Sequence, residues 1–126
     1  MKTPRKKRLE KEAIRLWQLA CAKKWSEKCA ICGMPANTFH HFIPKSRSTL
    51  LKYDVENGVP LCQKHHYIIH FTKNPAEVHR LVDKIRTKRG KKWCEYIDKK
   101  EKSKEGGFNT IKWLEEIINN LQHGNK

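Results

Sequence analysis

The sequence predicts an α+β fold that is mostly helical: a short β-hairpin and one helix, tied by a metal knuckle and flanked by helices. Apolar residues recur at helical spacing both before and after a central segment. That segment, residues 29–73, contains two short runs that are typical of strands. It also contains cysteine and histidine pairs at the spacing of metal ligands. We therefore expect three parts, with a hairpin-and-helix core between helical extensions at 1–28 and 74–126.

The first part is predicted to be a basic amphipathic helix. Pro4 precedes a run to about Trp25 in which Leu9, Ala13 and Trp17 recur on one face, with Lys and Arg on the other. We expect the apolar face to pack on the core. The basic face suits either solvent or a phosphate backbone.

The core is predicted to contain two strands and a helix. The strands are expected at residues 38–43 and 58–61, joined by a polar, basic loop over 45–57. Cys62 then opens a helix that should run to about Thr72.

The last part is predicted to be helical with one break. Pro75 starts a helix that Gly90 interrupts, and residues 98–107 form a charged stretch that we expect to be a mobile linker. Asn109 or Thr110 then caps a final helix, whose apolar stripe should dock on the core or, as the alternative, pair with a second copy.

The charge of the chain indicates a polyanionic partner. There are 28 Lys and Arg residues against 13 Asp and Glu, a formal net charge of +15. Nucleic acid is the favoured partner, because neutralised phosphates release counterions. A membrane is not expected, since no long apolar run or lipidation signal occurs.

The N-terminal segment and the cysteines predict an intracellular, cytoplasmic location. The basic N-terminal residues have no apolar segment behind them, which excludes a secretory signal. Five cysteines, several at metal-ligand spacing, fit a reducing compartment better than a disulfide framework. Cys21 and Cys94 lie outside those pairs and are predicted to be packing thiols.

Seven Cys and His residues in the core can be divided between two metal sites. Cys29 and Cys32 form a C-x2-C knuckle, and Cys62 and His65 form a second pair at the same spacing. These four make a Cys3His set that is typical of structural zinc. Several polar residues are then left over, and a catalytic metal site is their best explanation: His40, His41, His66, His70 and Asn57.

Helix and strand geometry separates the histidines further. His66 and His70 are four residues apart, so they share a helix face rotated by about 100° from His65. Neighbouring side chains on a strand point to opposite faces, so His40 and His41 must have different roles.

These residues resemble a known pattern. The stretch 29–72 resembles the HNH endonucleases of the ββα-metal class, in the subgroup whose hairpin and helix are tied by a zinc knuckle. Family members show Asp-His where this chain has His40-His41, and a fourth Cys where it has His65. The His-His pair, the Asn and the H-x3-H spacing are also similar to bacterial colicin DNases, which lack the cysteines.

The resemblance implies roles for these residues. His41 would be the general base, and Asn57 would hold the loop by hydrogen bonding the His41 backbone. His40, His66 and His70 would hold one divalent ion at the scissile phosphate. Because His40 stands in place of Asp, the three neutral imidazoles favour Mn²⁺, Co²⁺, Ni²⁺ or Zn²⁺ over Mg²⁺, although phosphate and water oxygens also allow Mg²⁺.

Basic side chains around the same loop could clamp phosphates. Arg47 is the preferred one, because a guanidinium can bind a phosphate bidentately. We expect the others to act as general backbone contacts: Lys45, Lys52 and Lys64.

Three functional hypotheses follow. The leading one is a metal-dependent DNA endonuclease with little or no sequence specificity, which nicks double-stranded DNA or cuts branched DNA. The segment Lys52-Tyr53-Asp54 before Asn57 is similar to phage-encoded HNH proteins, including lambdoid recombination endonucleases that cut branched DNA. The alternatives are a non-catalytic, zinc-stabilised nucleic-acid-binding module and an RNA-directed activity. Both a monomer and a homodimer are compatible with the sequence.

Overall fold

The structure is a computed structural model that describes residues 3–36, 38–103 and 108–123. The described residues form an α+β fold that is mostly helical, as the sequence predicts. Its elements are α1 (Pro4–Trp25), β1 (Thr38–His41), a short 3-10 helix (Val55–Asn57), β2 (Gly58–Leu61), α2 (Gln63–Phe71), α3 (Pro75–Arg89), α4 (Lys91–Lys102) and α5 (Ile111–Gln122). None of the helices described is both long and apolar enough to cross a membrane.

The two strands pair as an antiparallel hairpin. His40 lies opposite Val59, and His41 lies opposite Gly58. Strand β1 ends at His41, two residues earlier than predicted, because Phe42 and Ile43 donate their N–H groups to Asn57 instead of extending the ladder. Every residue of β2 is buried, so this strand lies at the centre of the fold.

Helix α1 packs directly on β2. Thr3 caps its N-terminus, and Pro4 occupies its first turn, where a missing N–H costs nothing. A Cβ atom on Gly58 would come within 2.3 Å of the Cys21 sulfur and 3.1 Å of the Trp17 ring. Only a glycine allows this close approach, and Cys21 is the buried packing thiol that the sequence predicts.

Helix α5 docks on α1, as the first of the two sequence-based alternatives predicts. Thr110 caps it by accepting from the Trp113 N–H. Leu114 is fully buried in an apolar cluster with Trp17 and Tyr53. Arg5 of α1 pairs with Glu115 of α5 at the surface.

The predicted mobile linker is wrong over its first half. Helix α4 continues through residues 98–102, because Ile97 is fully buried and Asp98 accepts a hydrogen bond from Arg86 of α3 at 2.7 Å. Residues 104–107 of that segment lie outside the described residues. Gly90, with φ of +96°, separates α3 from α4 as predicted.

Two tryptophans and an arginine hold the 3-10 helix that leads into β2. Trp25 and Trp93 donate from their indole nitrogens to the carbonyls of Val55 and Glu56, each at 2.8 Å. The guanidinium of Arg89 lies 3.5 Å from the centre of the Trp25 ring. The helices on both sides of the core therefore share in positioning the hairpin.

Candidate metal centres and their surroundings

Four side chains form a compact cysteine-rich cluster between the hairpin and α2. The possible ligand atoms of Cys29, Cys32, Cys62 and His65 all lie within 4.8 Å of one another. The Cys32 and Cys62 sulfurs are 3.8 Å apart, and His65 Nδ1 is 3.3 Å from the Cys62 sulfur and 3.7 Å from that of Cys29.

The chain folds locally in a way that produces this cluster. Gly33 adopts φ of +78° and donates to the Cys29 carbonyl, which closes the knuckle. Cys62 is the N-cap of α2, and its sulfur accepts from the His65 N–H at 3.5 Å. The second pair is therefore held by the first turn of a helix.

The donor set fits a zinc ion. With Zn–S bonds of about 2.3 Å, tetrahedral sulfurs lie about 3.8 Å apart, which is the Cys32–Cys62 separation. Burial alone would raise the pKa of Cys29, but hydrogen bonds from the backbone of Cys62, Cys32 and Ile31 outweigh it and lower the pKa to about 6. A lowered pKa favours the thiolate, which is the form that binds a metal. The spacing of the ligand atoms shows that these four residues could hold a metal such as zinc.

Three histidines form a second, separate cluster. Ring nitrogens of His40, His66 and His70 lie within 4.8 Å of one another. The ring centres of His66 and His70, one turn apart on α2, are 4.6 Å apart, and the His40 ring of β1 lies 5.0 Å from that of His70. The structure thus groups the same three imidazoles that the resemblance to HNH endonucleases assigns to one ion.

Two imidazoles of this cluster, those of His40 and His66, are predisposed to be neutral. Burial and the neighbouring histidines lower the pKa of His40 to about 4, and burial also lowers the pKa of His66. A neutral imidazole has the lone pair that metal coordination requires. The donor set therefore fits a divalent transition metal.

His41 lies on the other face of β1 and has its own surroundings. Its ring stacks on Trp17 of α1, with the ring centres 4.2 Å apart and the planes at 10°. Its Nε2 is 2.9 Å from the Lys52 carbonyl oxygen. Since a carbonyl can only accept, Nε2 carries the proton, and Nδ1 is left as the acceptor of the neutral ring.

The electrostatic surroundings of His41 also favour the neutral form. Burial is the main cause, and nearby Lys45 and Lys52 add to it. The hydrogen bond to the Lys52 carbonyl acts in the opposite direction but is weaker, so the pKa falls to about 4.

Asn57 is fully buried and holds the loop between the strands, but not through the predicted partner. Its Oδ1 accepts from the Ile43 N–H at 2.8 Å, and its Nδ2 donates to the carbonyls of Ile43 and Leu51 at 3.1 and 3.2 Å. The expected hydrogen bond to the His41 backbone is therefore wrong by two residues. The loop turns back on itself, and this brings Ile43 to the amide.

The four basic residues that were expected to bind phosphate have different surroundings in the structure. Lys45 and Lys64 are exposed. Arg47, the preferred clamp, pairs with Glu101 of α4. Lys52 is mostly buried, with its ammonium 4.0 Å from Glu10 and 5.4 Å from the centre of the Tyr53 ring.

An open groove lies next to the cysteine knuckle, at a place that the sequence did not indicate. It has a volume of about 480 Å³. Helical spacing predicted the apolar side of α3 but did not show that its basic side meets the knuckle. The residues that line the groove are Ala30, Ile31, Arg80, Asp83, Lys84, Thr87 and Lys88.

Two features formed by aromatic side chains were also not predicted from the sequence. The stack of Trp17 on His41 joins residues far apart in the chain, and no local signal could have shown it. Tyr67 and Phe71, by contrast, are four residues apart on a helix already assigned to the histidines, so their shared exposed face was visible in the spacing. His79 lies exposed on α3 beside Asp83.

Comparisons with known proteins give one relative and no family. No protein-family model matches the chain, and no solved structure matches it. The chain is similar to the uncharacterized protein YdfU of Escherichia coli (strain K12), with 35% identity over 71 residues. The match covers 56% of this chain and 19% of that protein, so the chain spans less than a fifth of its relative's length.

Proposed function

We propose that this protein is a metal-dependent DNA endonuclease that hydrolyses phosphodiester bonds with little sequence specificity, as its resemblance to the HNH endonucleases implies. One observation carries the proposal: a three-imidazole cluster stands apart from a complete Cys3His set, and the residue that follows His40 in β1 is a histidine whose Nε2 lies 2.9 Å from a carbonyl oxygen, which leaves its Nδ1 as the acceptor. A module that only bound nucleic acid would need the first set but not the second.

The two clusters have different tasks in this proposal. Cys29, Cys32, Cys62 and His65 hold a structural zinc ion that fixes α2 against the hairpin. His40, His66 and His70 hold one divalent ion, either Mg²⁺, Mn²⁺, Co²⁺, Ni²⁺ or Zn²⁺. When bound, that ion supplies electrostatic stabilisation of the charge that develops on the phosphate and the leaving oxygen.

His41 acts as the general base. Its Nδ1 accepts a proton from the attacking water while Nε2 remains hydrogen bonded to the Lys52 carbonyl. A DNA phosphate next to the ring would raise its pKa from about 4, because a nearby anion favours the imidazolium form. Water attacks the phosphorus, the bond to the 3′-oxygen breaks and the leaving oxygen takes a proton from solvent water, so the products are a 5′-phosphate and a 3′-hydroxyl.

The charge of the chain supports DNA binding. A net charge of +15 attracts the backbone without reading its sequence. Exposed Lys45 and Lys64 lie near the histidines along the chain, and the groove of α3 adds Arg80, Lys84 and Lys88.

A nicking assay on supercoiled plasmid, with each of the five divalent metals in turn, tests the proposal. His41→Ala should lower the cleavage rate by about 10²–10⁴-fold, the usual contribution of a general base, and leave DNA binding intact. His79→Ala, which removes an exposed histidine of α3, is the matched control and should cleave normally. Because His41 packs on Trp17, the melting temperature of each variant is measured as well.

Two results would refute the endonuclease. Either the unmutated chain cuts no DNA with any of these metals, or a folded His41→Ala variant cuts at the normal rate. The first result would leave a zinc-stabilised nucleic-acid-binding module as the better description.

A further inference from the structure

Two large aromatic side chains are exposed together on α2. Tyr67 and Phe71 each expose 65% of their surface. Their ring centres are 4.9 Å apart, with an angle of 40° between the planes. Aromatic rings usually bury most of their area, so a contacting pair left in water indicates a surface that binds something.

The pair lies next to the histidine cluster. Tyr67 and Phe71 directly follow His66 and His70 in the helix, so the two rows run side by side along it. The centre of the Phe71 ring is 6.2 Å from that of His70. One short stretch of a nucleic acid strand can therefore contact both sets of side chains.

The positive charge around Tyr67 and Phe71 favours a negatively charged ligand. Lys64 is exposed one turn before Tyr67, so it extends the same row, and α2 contains no carboxylate. A second copy of this chain would bring another net charge of +15 to the same surface and be repelled. A nucleic acid strand offers both a phosphate for Lys64 and a flat ring for the aromatic pair.

The occupant must be an unpaired base. In a duplex, each base already stacks on its neighbours, so a side chain reaches a base face only by unstacking a step, which costs energy that an unpaired base does not require. Stacking of an exposed base on an aromatic side chain is favourable whatever the base, because every base has a π-face.

We propose that Tyr67 and Phe71 form a stacking platform for an unpaired base of the DNA strand whose phosphate lies at His40, His66 and His70. This inference rests on the proposed endonuclease and names its substrate class: DNA with unpaired bases within a few nucleotides of the cleaved bond.

Binding without cleavage tests the platform directly. The 126-residue chain, with no added divalent metal beyond zinc, is titrated into a single-stranded oligonucleotide that carries 2-aminopurine, whose fluorescence falls on stacking. The same oligonucleotide in a duplex is the reference. The double variant Tyr67→Ala/Phe71→Ala should weaken single-strand binding by about 10–100-fold, the loss of one stacked base, and abolish the quenching. Its duplex affinity should change by less than about 2-fold.

Phe108→Ala is the control, because Phe108 is exposed but lies outside α2. It should bind both DNA forms normally. Equal single-strand affinity and quenching in the double variant and the unmutated chain would overturn the platform. So would a dimer, seen by analytical ultracentrifugation, that dissociates in the double variant, since the pair would then be an interface between copies.

A cleavage comparison separates this inference from the proposed function. The unmutated chain should cut a substrate with unpaired bases faster than a duplex of the same sequence, and the double variant should cut both at the duplex rate. If the unmutated chain cuts neither, the endonuclease is refuted, while the quenching experiment still decides the platform. If it cuts but shows no preference that depends on the pair, only the platform is refuted.

Discussion

Replacing Asn57 by alanine should destabilise the protein and misplace its proposed base. The substitution removes three side-chain hydrogen bonds, two to the backbone of Ile43 and one to the Leu51 carbonyl. These bonds close the loop between the strands. The same loop supplies the Lys52 carbonyl, which fixes the ring of His41.

The expected loss can be worked out from the three partner atoms. The Ile43 N–H loses its acceptor in a buried region, which costs about 1–3 kcal/mol. The Leu51 carbonyl keeps the hydrogen bond from the Asp54 N–H at 3.1 Å, so its loss is nearer about 0.5–1 kcal/mol. The buried Ile43 carbonyl loses the Asn57 amide donor at a further cost of about 1–3 kcal/mol. Asn57→Ala should therefore lower the free energy of unfolding by at least about 3 kcal/mol, a large part of the roughly 5–15 kcal/mol of a typical domain.

Urea denaturation of the zinc-loaded protein measures this loss. Asn120→Ala, an exposed asparagine on α5, is the matched control and should change the unfolding free energy by less than about 0.5 kcal/mol. Under conditions where both variants are folded, Asn57→Ala should also cut DNA more slowly than the control. A loss below about 1 kcal/mol would refute the reasoning, because the loop would then be held by something other than this amide.

Two further predictions concern the Cys3His cluster and the contact of α1 with β2. Cys62→Ser should lose stoichiometric zinc and melt at a lower temperature, since structural zinc is coupled to folding, whereas Cys94→Ser should retain both zinc and stability. Metal analysis and thermal melting measure this, and a zinc-loaded, stable Cys62→Ser variant would contradict the prediction. Gly58→Ala should destabilise the fold by about 1–3 kcal/mol through overpacking against Cys21, and adding Cys21→Ala to that variant should recover part of the loss. Denaturation of the two single variants and of the double variant measures this, and additive losses would show that the sulfur is not the obstacle.

The sequence predicted the helices and the residues of the two metal-ligand clusters, because the signals for both are local. Thr110 and Pro75 mark helix starts through the hydrogen bonds that helix ends require. The C-x2-C and H-x3-H spacings bring ligands together within one turn of chain. The same local reasoning gave the wrong ending for α4, since the charge of residues 98–102 suggested a linker while Ile97, buried against other elements, keeps the helix intact.

The surroundings of His41 were not predictable, because they depend on contacts between distant segments. Trp17 reaches the ring from α1, and the same indole donates to the Asp54 carbonyl at 2.8 Å. Sequence spacing carries no information on such contacts. The resemblance to HNH endonucleases likewise placed the Asn57 hydrogen bonds in the right loop but on the wrong residue, since the path of the loop depends on its packing.

Helix α2 shows why the proposed catalytic metal site depends on the proposed structural one. None of its nine residues is buried, so apolar packing contributes little to its placement, apart from the partial burial of Ile69 against the core. What ties its first turn to the knuckle is the cluster that contains Cys62 and His65. His66 follows His65 directly, so any rotation of the helix that followed loss of the first ion would also turn His66 and His70 away from His40. The proposed structural ion therefore sets the geometry of the proposed reactive one, although the two clusters share no ligand.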